Sequence, residues 1–495
     1  MRVPSLPVAS LALLVLAPAA AAEPVRTLSV DPGRALSATV TLPPRGKVRL
    51  EAGTRTVKIK ADGRDLAVAG RDLGRHRDKR TARLVVANDA GVTSVALGAG
   101  TLAQTASRTV RLRGVLTLGD RYGSSASDPL DRLAQRAGML HAARPRTQSY
   151  LGQGVDGELH YRDRRNWAAA FLPGLLWRVA AERNSVLHAR WAMEEVRDLA
   201  PVARFDDPDV GFVFWRAAAL GQDLACTAPV PRLGLTPEDC ALLQTLADEA
   251  GTRLVARSGS NPLGLIPTSS DAAQCAQCLP GELRVIVDQL HNLPVLARSA
   301  EPARRALALA HARWIASTLV RPDGATLQQG FIDQPTGALT RAGNFQGFDD
   351  TSVWSRGQAW AISGLARAAT DLEDADLLAA AVRAADWWLA HAPAGALPPY
   401  DFSADPTAPR DSSALAIAGA GFAVLAARCG ATAACDGVRY RAAAAAAAAT
   451  LATRLEGGPQ LGRLGEATYT AGGLTWDEGA ELAWGSDFLA ELLTL

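Results

Sequence analysis

The distribution of aromatic side chains divides this chain. Residues 24–121 contain no Phe, Tyr or Trp, whereas all 11 tryptophans and all six tyrosines come after residue 121. The ring-free part is built from short runs rich in Val, Thr, Leu and Ile, at 38–42, 47–52, 56–61, 82–88, 92–99 and 108–118. In Thr56-Val57-Lys58-Ile59-Lys60 apolar and polar residues alternate, which places Val57 and Ile59 on one face of a strand. Pro43-Pro44, Ala61-Asp62-Gly63 and Asn88-Asp89-Ala90-Gly91 punctuate the runs. About six or seven short strands at this spacing predict a small all-β, sandwich-like domain over 24–121. Without rings it has no stacking platform for neutral sugars.

Residues 123–495 follow a helical pattern. About twelve stretches begin near Asp128, Asn166, Asn184, Asp209, Thr236, Glu282, Glu301, Ser352, Ala375, Asp411, Gly437 and Glu478. The alanine tract 442–449 predicts a packed helix rather than a linker, alanine being the strongest helix former. An even number of similar helices predicts stacked hairpins or a closed double ring. Twelve is the number in an (α/α)6 barrel. The expected fold class is therefore mainly α, an (α/α)6 barrel over 123–495 preceded by the small all-β domain.

Residues 1–22 have the layout of an export signal: Arg2, an apolar run at 6–16 and small residues at 20–22. A short membrane anchor is the competing reading, although the run is short for one. No later apolar run is expected to span a bilayer, so an exported protein, periplasmic or extracellular and without membrane insertion, is predicted. An oxidising compartment suits three local disulfides, Cys226 with Cys240, Cys275 with Cys278, and Cys429 with Cys435. The Cys275-x-x-Cys278 spacing also occurs in zinc and redox sites, but zinc needs four ligands and no second Cys or His pair stands nearby.

An apolar fraction of 48% with 21% charged residues excludes a disordered or collagen-like chain. The net charge of +2 excludes a general polyanion binder, and no nucleic-acid partner is expected. The charge is unevenly shared: residues 24–122 sum to +11 and residues 123–495 to −9. Either the basic part attracts anions, or it docks on the acidic part, or the charges simply form a solvated surface.

Two carboxylates in the helical part keep apolar company. Asp288 lies between Val285-Ile286-Val287 and Leu290-His291-Asn292-Leu293, and Asp209 lies in Pro208-Asp209-Val210-Gly211-Phe212. Burial raises a carboxyl pKa, and a carboxyl that stays protonated near neutrality can act as a general acid. Each could equally be a helix N-cap or a salt-bridged core acid. The tryptophans offer flat faces suited to sugar rings, although most tryptophans in helical proteins serve packing.

Six ordered segments carry a resemblance to a known family. They are 166–177 (NWAAAFLPGLLW), 209–212 (DVGF), 287–293 (VDQLHNL), 352–360 (SVWSRGQAW), Asp401-Phe402 with 410–414 (RDSSA), and Trp484-Gly485. From about residue 128 to the C-terminus the chain resembles the unsaturated glucuronyl hydrolases, glycoside hydrolase family 88, whose fold is an (α/α)6 barrel. The resemblance implies that Asp288 is the catalytic proton donor and Asp209 its partner base or nucleophile. It implies that Trp167, Gln346, Arg356 and Trp360 line the pocket for an unsaturated uronate, and that neither a metal nor an organic cofactor is needed. Arg356 suits a carboxylate, because a guanidinium grips one bidentately.

Some positions depart from the family pattern. Gln328 stands where the family usually has histidine, Asn344 replaces the threonine of its T-x-Q-G, Ala170 replaces a glycine, and Ser269 or Ser270 occupies the place of a tryptophan. Gln328 and Asn344 are accordingly candidate substrate-binding residues that alter specificity. The implied partner is an oligosaccharide with a 4,5-unsaturated uronate at its non-reducing end. A related unsaturated rhamnogalacturonyl hydrolase, or a non-catalytic oligosaccharide-binding protein on the same barrel, are the competing functions.

Overall fold

The computed structural model describes residues 128–495, apart from 155–156, 228–231, 262, 269–274, 276, 433–434, 458–459 and 472–473. In the preceding part it describes only the backbone of short strands. Leu36–Thr41 pairs antiparallel with Val68–Asp72 and with Thr109–Leu112, and Lys47–Ala52 pairs antiparallel with Thr56–Ala61. The runs expected at 38–42, 47–52 and 56–61 are thus extended, and Ile59 stands opposite Leu50. The sandwich arrangement, all but two residues of the export segment, and Ser269 and Ser270 lie outside the described residues.

The chain forms two compact units, one of residues 1–143, 183–191 and 456–463, the other of 144–182, 192–455 and 464–495. Within the first, helix α1 (Pro129–Ala143) is fixed by Asp131, which accepts a 2.7 Å bond from Arg183. A Cβ at Gly138 would lie 3.0 Å from the Trp191 ring, so α1 closes directly onto the indole.

The second unit is mainly helical. Strands β1 (Gln148–Gln153) and β2 (Leu159–Asp163) precede α2 (Phe171–Arg183) and α3 (Val186–Leu199), which each run partly into the first unit. Then come α4 (Val210–Phe214), a π-helical turn, α5 (Leu220–Ala225) and α6 (Pro237–Ser258). Strand β3 (Glu282–Ile286) leads into a 3-10 turn, α7 (Pro294–Ala297) and α8 (Pro302–Thr318). After β4 (Gln329–Asp333) and β5 (Leu339–Gly343) follow α9 (Ser355–Asp371), α10 (Ala375–His391), α11 (Ser412–Thr432) and α12 (Gly437–Thr453). Strands β6 (Ala467–Ala471) and β7 (Leu474–Leu482) and helix α13 (Ala483–Thr494) complete the chain.

Local chemistry sets these boundaries. Thr236 and Asp239 form a reciprocal capping box at the start of α6, with Pro237 at its first position. Asp374 caps α10 and Asp436 caps α12 through their side chains. Small residues let the helices close up: a Cβ at Gly421 would lie 2.9 Å from the Ser363 backbone, and one at Gly419 would lie 3.0 Å from Ala447. The alanine tract is indeed a helix, with Ala443, Ala444 and Ala447 buried.

Three expectations need correction. The stretch from Glu282 is a strand, because Leu283, Val285 and Ile286 are paired across β4 rather than set on one helical face. The stretch from Glu478 is also extended, and the helix starts only at Ala483. Residues Ser412–Gly430 of α11 are apolar and long enough to cross a membrane, contrary to the expectation from the sequence, but 72% of that stretch is buried within the fold. The three expected disulfides are all present.

Candidate active site

Two clamped turns bring Asp209 and Asp288 together. Asp288 sits in the 3-10 turn Val287–Asn292 that ends β3. Val287 N donates to Gln328 O at 2.9 Å, and Gln289 Oε1 accepts from Ile286 N at 3.1 Å, which fixes the start of the turn. At its end, Asn292 Oδ1 accepts from Phe212 N at 2.8 Å and Asn292 Nδ2 donates to Pro208 O at 2.9 Å. One amide thus grips both sides of the turn that carries Asp209. Gly211 makes this approach possible, since a Cβ there would lie 2.7 Å from Asn292 O.

Neither acid has the bland role that was its alternative. Asp209 occupies the N-cap position of α4 but makes no side-chain cap bond. Among the described residues neither carboxylate is in an ion pair, and Asp288 Oδ2 is buried without a hydrogen bond. Burial, followed by the charges of Asp207 and Asp288, pushes Asp209 up to about 8. Burial pushes Asp288 up to about 6, opposed by its own backbone N–H and then by Arg356 and Arg284. Both acids are therefore held in their protonated form to well above the usual carboxylate range.

Arg356 opens α9 and is buried, with Nη1 donating to Asp411, to Ser413 Oγ at 3.3 Å and to Thr468 O at 3.0 Å. Its Nε and Nη2 make no hydrogen bond among the described residues, so one bidentate edge stays open. Three rings surround it: Trp354, Trp484 and Tyr469 have centroids 4.8, 5.4 and 5.9 Å from Cζ. Trp167 is half-buried at the start of a 3-10 turn and lies 4.5 Å from the Trp484 ring. Trp167, Arg356 and Trp484 thus meet at helix starts, where the backbone dipoles favour an anion.

Trp360 does not line an accessible surface. It is fully buried beneath this layer, packed against Phe212, His291 and Phe488. One helical turn does set it on the Arg356 side of α9, but Trp167 and Phe212 cover it. Gln328 and Asn344 are likewise not positioned as contact residues. Gln328 is fully buried; its Oε1 accepts from Phe345 N at 2.9 Å and Gln346 N at 3.0 Å, and its Nε2 donates to Gln346 Oε1 at 2.8 Å. Asn344 Oδ1 accepts from Gln328 N at 3.1 Å, while its Nδ2 donates to Ser352 O at 2.6 Å. Both hold up the turn that presents the half-buried Gln346, whose own Nε2 makes no hydrogen bond among the described residues.

Other functional residues gave only partial signals in the sequence. Asp411 and Asp401 belong to quoted motifs, and their tasks are visible only in space: Asp411 anchors Arg356, and Asp401 holds the 348–352 turn through Phe348 N and Ser352 Oγ. Asp207 and Arg284 showed no pattern at all. They act through a local turn and a neighbouring strand.

No family model matches the chain. The unsaturated glucuronyl hydrolase of Bacillus sp. (strain GL1) is 29% identical over 278 residues, covering 54% of this chain and 69% of that protein. The unsaturated chondroitin disaccharide hydrolase of Streptococcus pyogenes serotype M1 is 27% identical, covering 53% of this chain and 64% of that one. The crystal structure of an unsaturated glucuronyl hydrolase from Bacillus sp. GL1 has the same fold, an α/α barrel, with a TM-score of 0.63 and 24% identity. It matches over 75% of this chain and 96% of its own. From about residue 128 onward, the chain is similar to the unsaturated glucuronyl hydrolases and is an enzyme of that type.

Proposed function

We propose that this protein removes a 4,5-unsaturated uronic acid from the non-reducing end of oligosaccharides left by polysaccharide lyases. The observation that carries this reading is a pair of carboxylates without ion-pair partners among the described residues, Asp209 and Asp288, held on two interlocked turns, together with a guanidinium edge at Arg356 that the protein leaves unbonded. The uronate carboxylate docks on Nε and Nη2 of Arg356, Gln346 Nε2 donates to the sugar, and Trp167 supplies an apolar face.

The reaction is hydration of a vinyl ether. A carboxyl group protonates C4, and positive charge develops at C5 and the ring oxygen. The second carboxylate takes a proton from water as its oxygen bonds to C5. The hemiketal formed loses its ring C–O bond, and the opened hemiacetal releases the second sugar. Asp288 is the donor in this scheme and Asp209 the base. Burial holds Asp288 above the usual carboxylate range and Arg356 opposes this, so a uronate bound to the open edge of Arg356 cancels part of that opposing charge and favours the protonated form of the donor.

The test is ultraviolet absorbance. The conjugated enol carboxylate of a lyase digest loses its absorption when its double bond is hydrated. No loss on chondroitin, hyaluronan, heparin, alginate or gellan digests would sink the proposal. Export and a separate N-terminal domain over 24–121 belong to the same reading. The sequence of residues 1–22 supports the first, and the strand pairing of that part supports the second.

A further inference from the structure

We propose that Arg284 is a specificity-determining residue that binds an acidic substituent, a sulfate ester or a carboxylate, on the sugar next to the unsaturated uronate. This rests on the reaction proposed above and names a substrate class for the same site.

Arg284 is the middle residue of β3, four positions before Asp288, and stands opposite Phe331 on β4. Its guanidinium is half-buried but, among the described residues, has no carboxylate partner within ion-pair distance. Nη1 donates to Gln277 Oε1 at 3.2 Å. Among the described residues, Nε is buried without a hydrogen bond and Nη2 makes none. The Nε and Nη2 edge is the same bidentate fork that Arg356 leaves open. A half-buried guanidinium with an idle fork is costly unless something binds it.

Its surroundings supply the rest of a sugar subsite. Cζ lies 5.5 Å from the Phe345 ring centroid. Phe345 and Phe348 are 39% and 59% exposed, an unusual pair of uncovered rings on the turn that also presents Gln346. Gln277, which orients the guanidinium, lies within the short loop closed by Cys275 and Cys278. Arg284 also feels the charges of both Asp209 and Asp288, so it sits beside the reacting ring rather than remote from it. With the uronate on Arg356, a second fork beside exposed rings fits an anionic neighbouring sugar.

The experiment uses the full chain and three unsaturated disaccharides whose second sugar is sulfated, carboxylated or neutral. Wild type is expected to favour one or both anionic substrates. In Arg284→Gln the ratio of kcat/KM for the favoured anionic substrate over the neutral one should fall at least tenfold, mainly through KM. Arg284→Lys keeps the charge without the fork and should give an intermediate ratio. Comparing sulfate with carboxylate identifies the substituent. If both variants fold, as judged by melting, and the ratio stays within twofold of wild type, the inference is overturned even if activity falls. Arg284 then acts on all substrates alike through the two acids. An equal wild-type rate on all three substrates also overturns it. If wild type hydrates none of them, the proposed function itself has failed.

Discussion

Gly211→Ala tests the interlock between the two turns that carry Asp209 and Asp288. The new Cβ would lie 2.6 Å from Leu254 Cδ1, 2.7 Å from Asn292 O and 2.8 Å from Asn292 Oδ1. A leucine methyl can rotate away. The carbonyl cannot, because Asn292 is fully buried and its amide is bonded on both sides, to Phe212 N and Pro208 O. Relief to an ordinary contact near 3.4 Å needs a shift of somewhat under about 1 Å between the two turns. Overpacking of this kind costs about 1–3 kcal/mol. It also separates Asp209 from Asp288, and a misplacement of about 1 Å can cost about 10²-fold in rate. The assay is urea unfolding alongside kcat/KM on a lyase digest. The expected result is a folded protein with a lower midpoint and roughly 10²-fold less activity. Wild-type values for both would refute the claim that this close approach sets the geometry of the acids.

Four further outcomes follow from the same geometry. Asp288→Asn keeps the shape but removes the acid, and turnover should fall roughly 10²–10⁴-fold; near-normal turnover in a folded variant removes Asp288 from the mechanism. Activity should be bell-shaped in pH, with limbs near about 6 and about 8, to which burial raises Asp288 and Asp209, and Asp207→Asn should move the upper limb down because a charge that raises Asp209 is gone. Since Asp209 binds its proton more tightly folded than unfolded, it lowers stability as pH rises from about 4 to about 8. Asp209→Asn should therefore melt higher than wild type at pH 8, with the gain vanishing near pH 4; a pH-independent difference in melting refutes this. Arg356→Lys should raise KM strongly and also lower stability, because Asp411 loses its buried guanidinium partner; an unchanged KM would make Arg356 purely structural.

The helical half was legible wherever a periodic apolar face or a cap decides local structure. The starts read near Thr236 and Gly437 are true helix starts, where the structure shows Thr236 and Asp436 as caps, and the alanine tract is a helix, because propensity and capping act within a turn or two. The reading failed at Glu282 and Glu478, where an apolar run serves a strand as well as a helix and only a partner segment distinguishes them. Both acids were also legible, as carboxylates in apolar company beside a glycine and an asparagine.

Tertiary structure decided what those residues do. It buried Trp360 and turned Gln328 and Asn344 into supports for Gln346, because burial and hydrogen-bond saturation depend on neighbours distant in sequence. It also tied Asp411 to Arg356 across 55 positions, leaving one edge of the guanidinium open. The sequence determined which charges and rings are available. The fold determined which of them are already satisfied by the protein, and only the unsatisfied ones remain to act on a substrate.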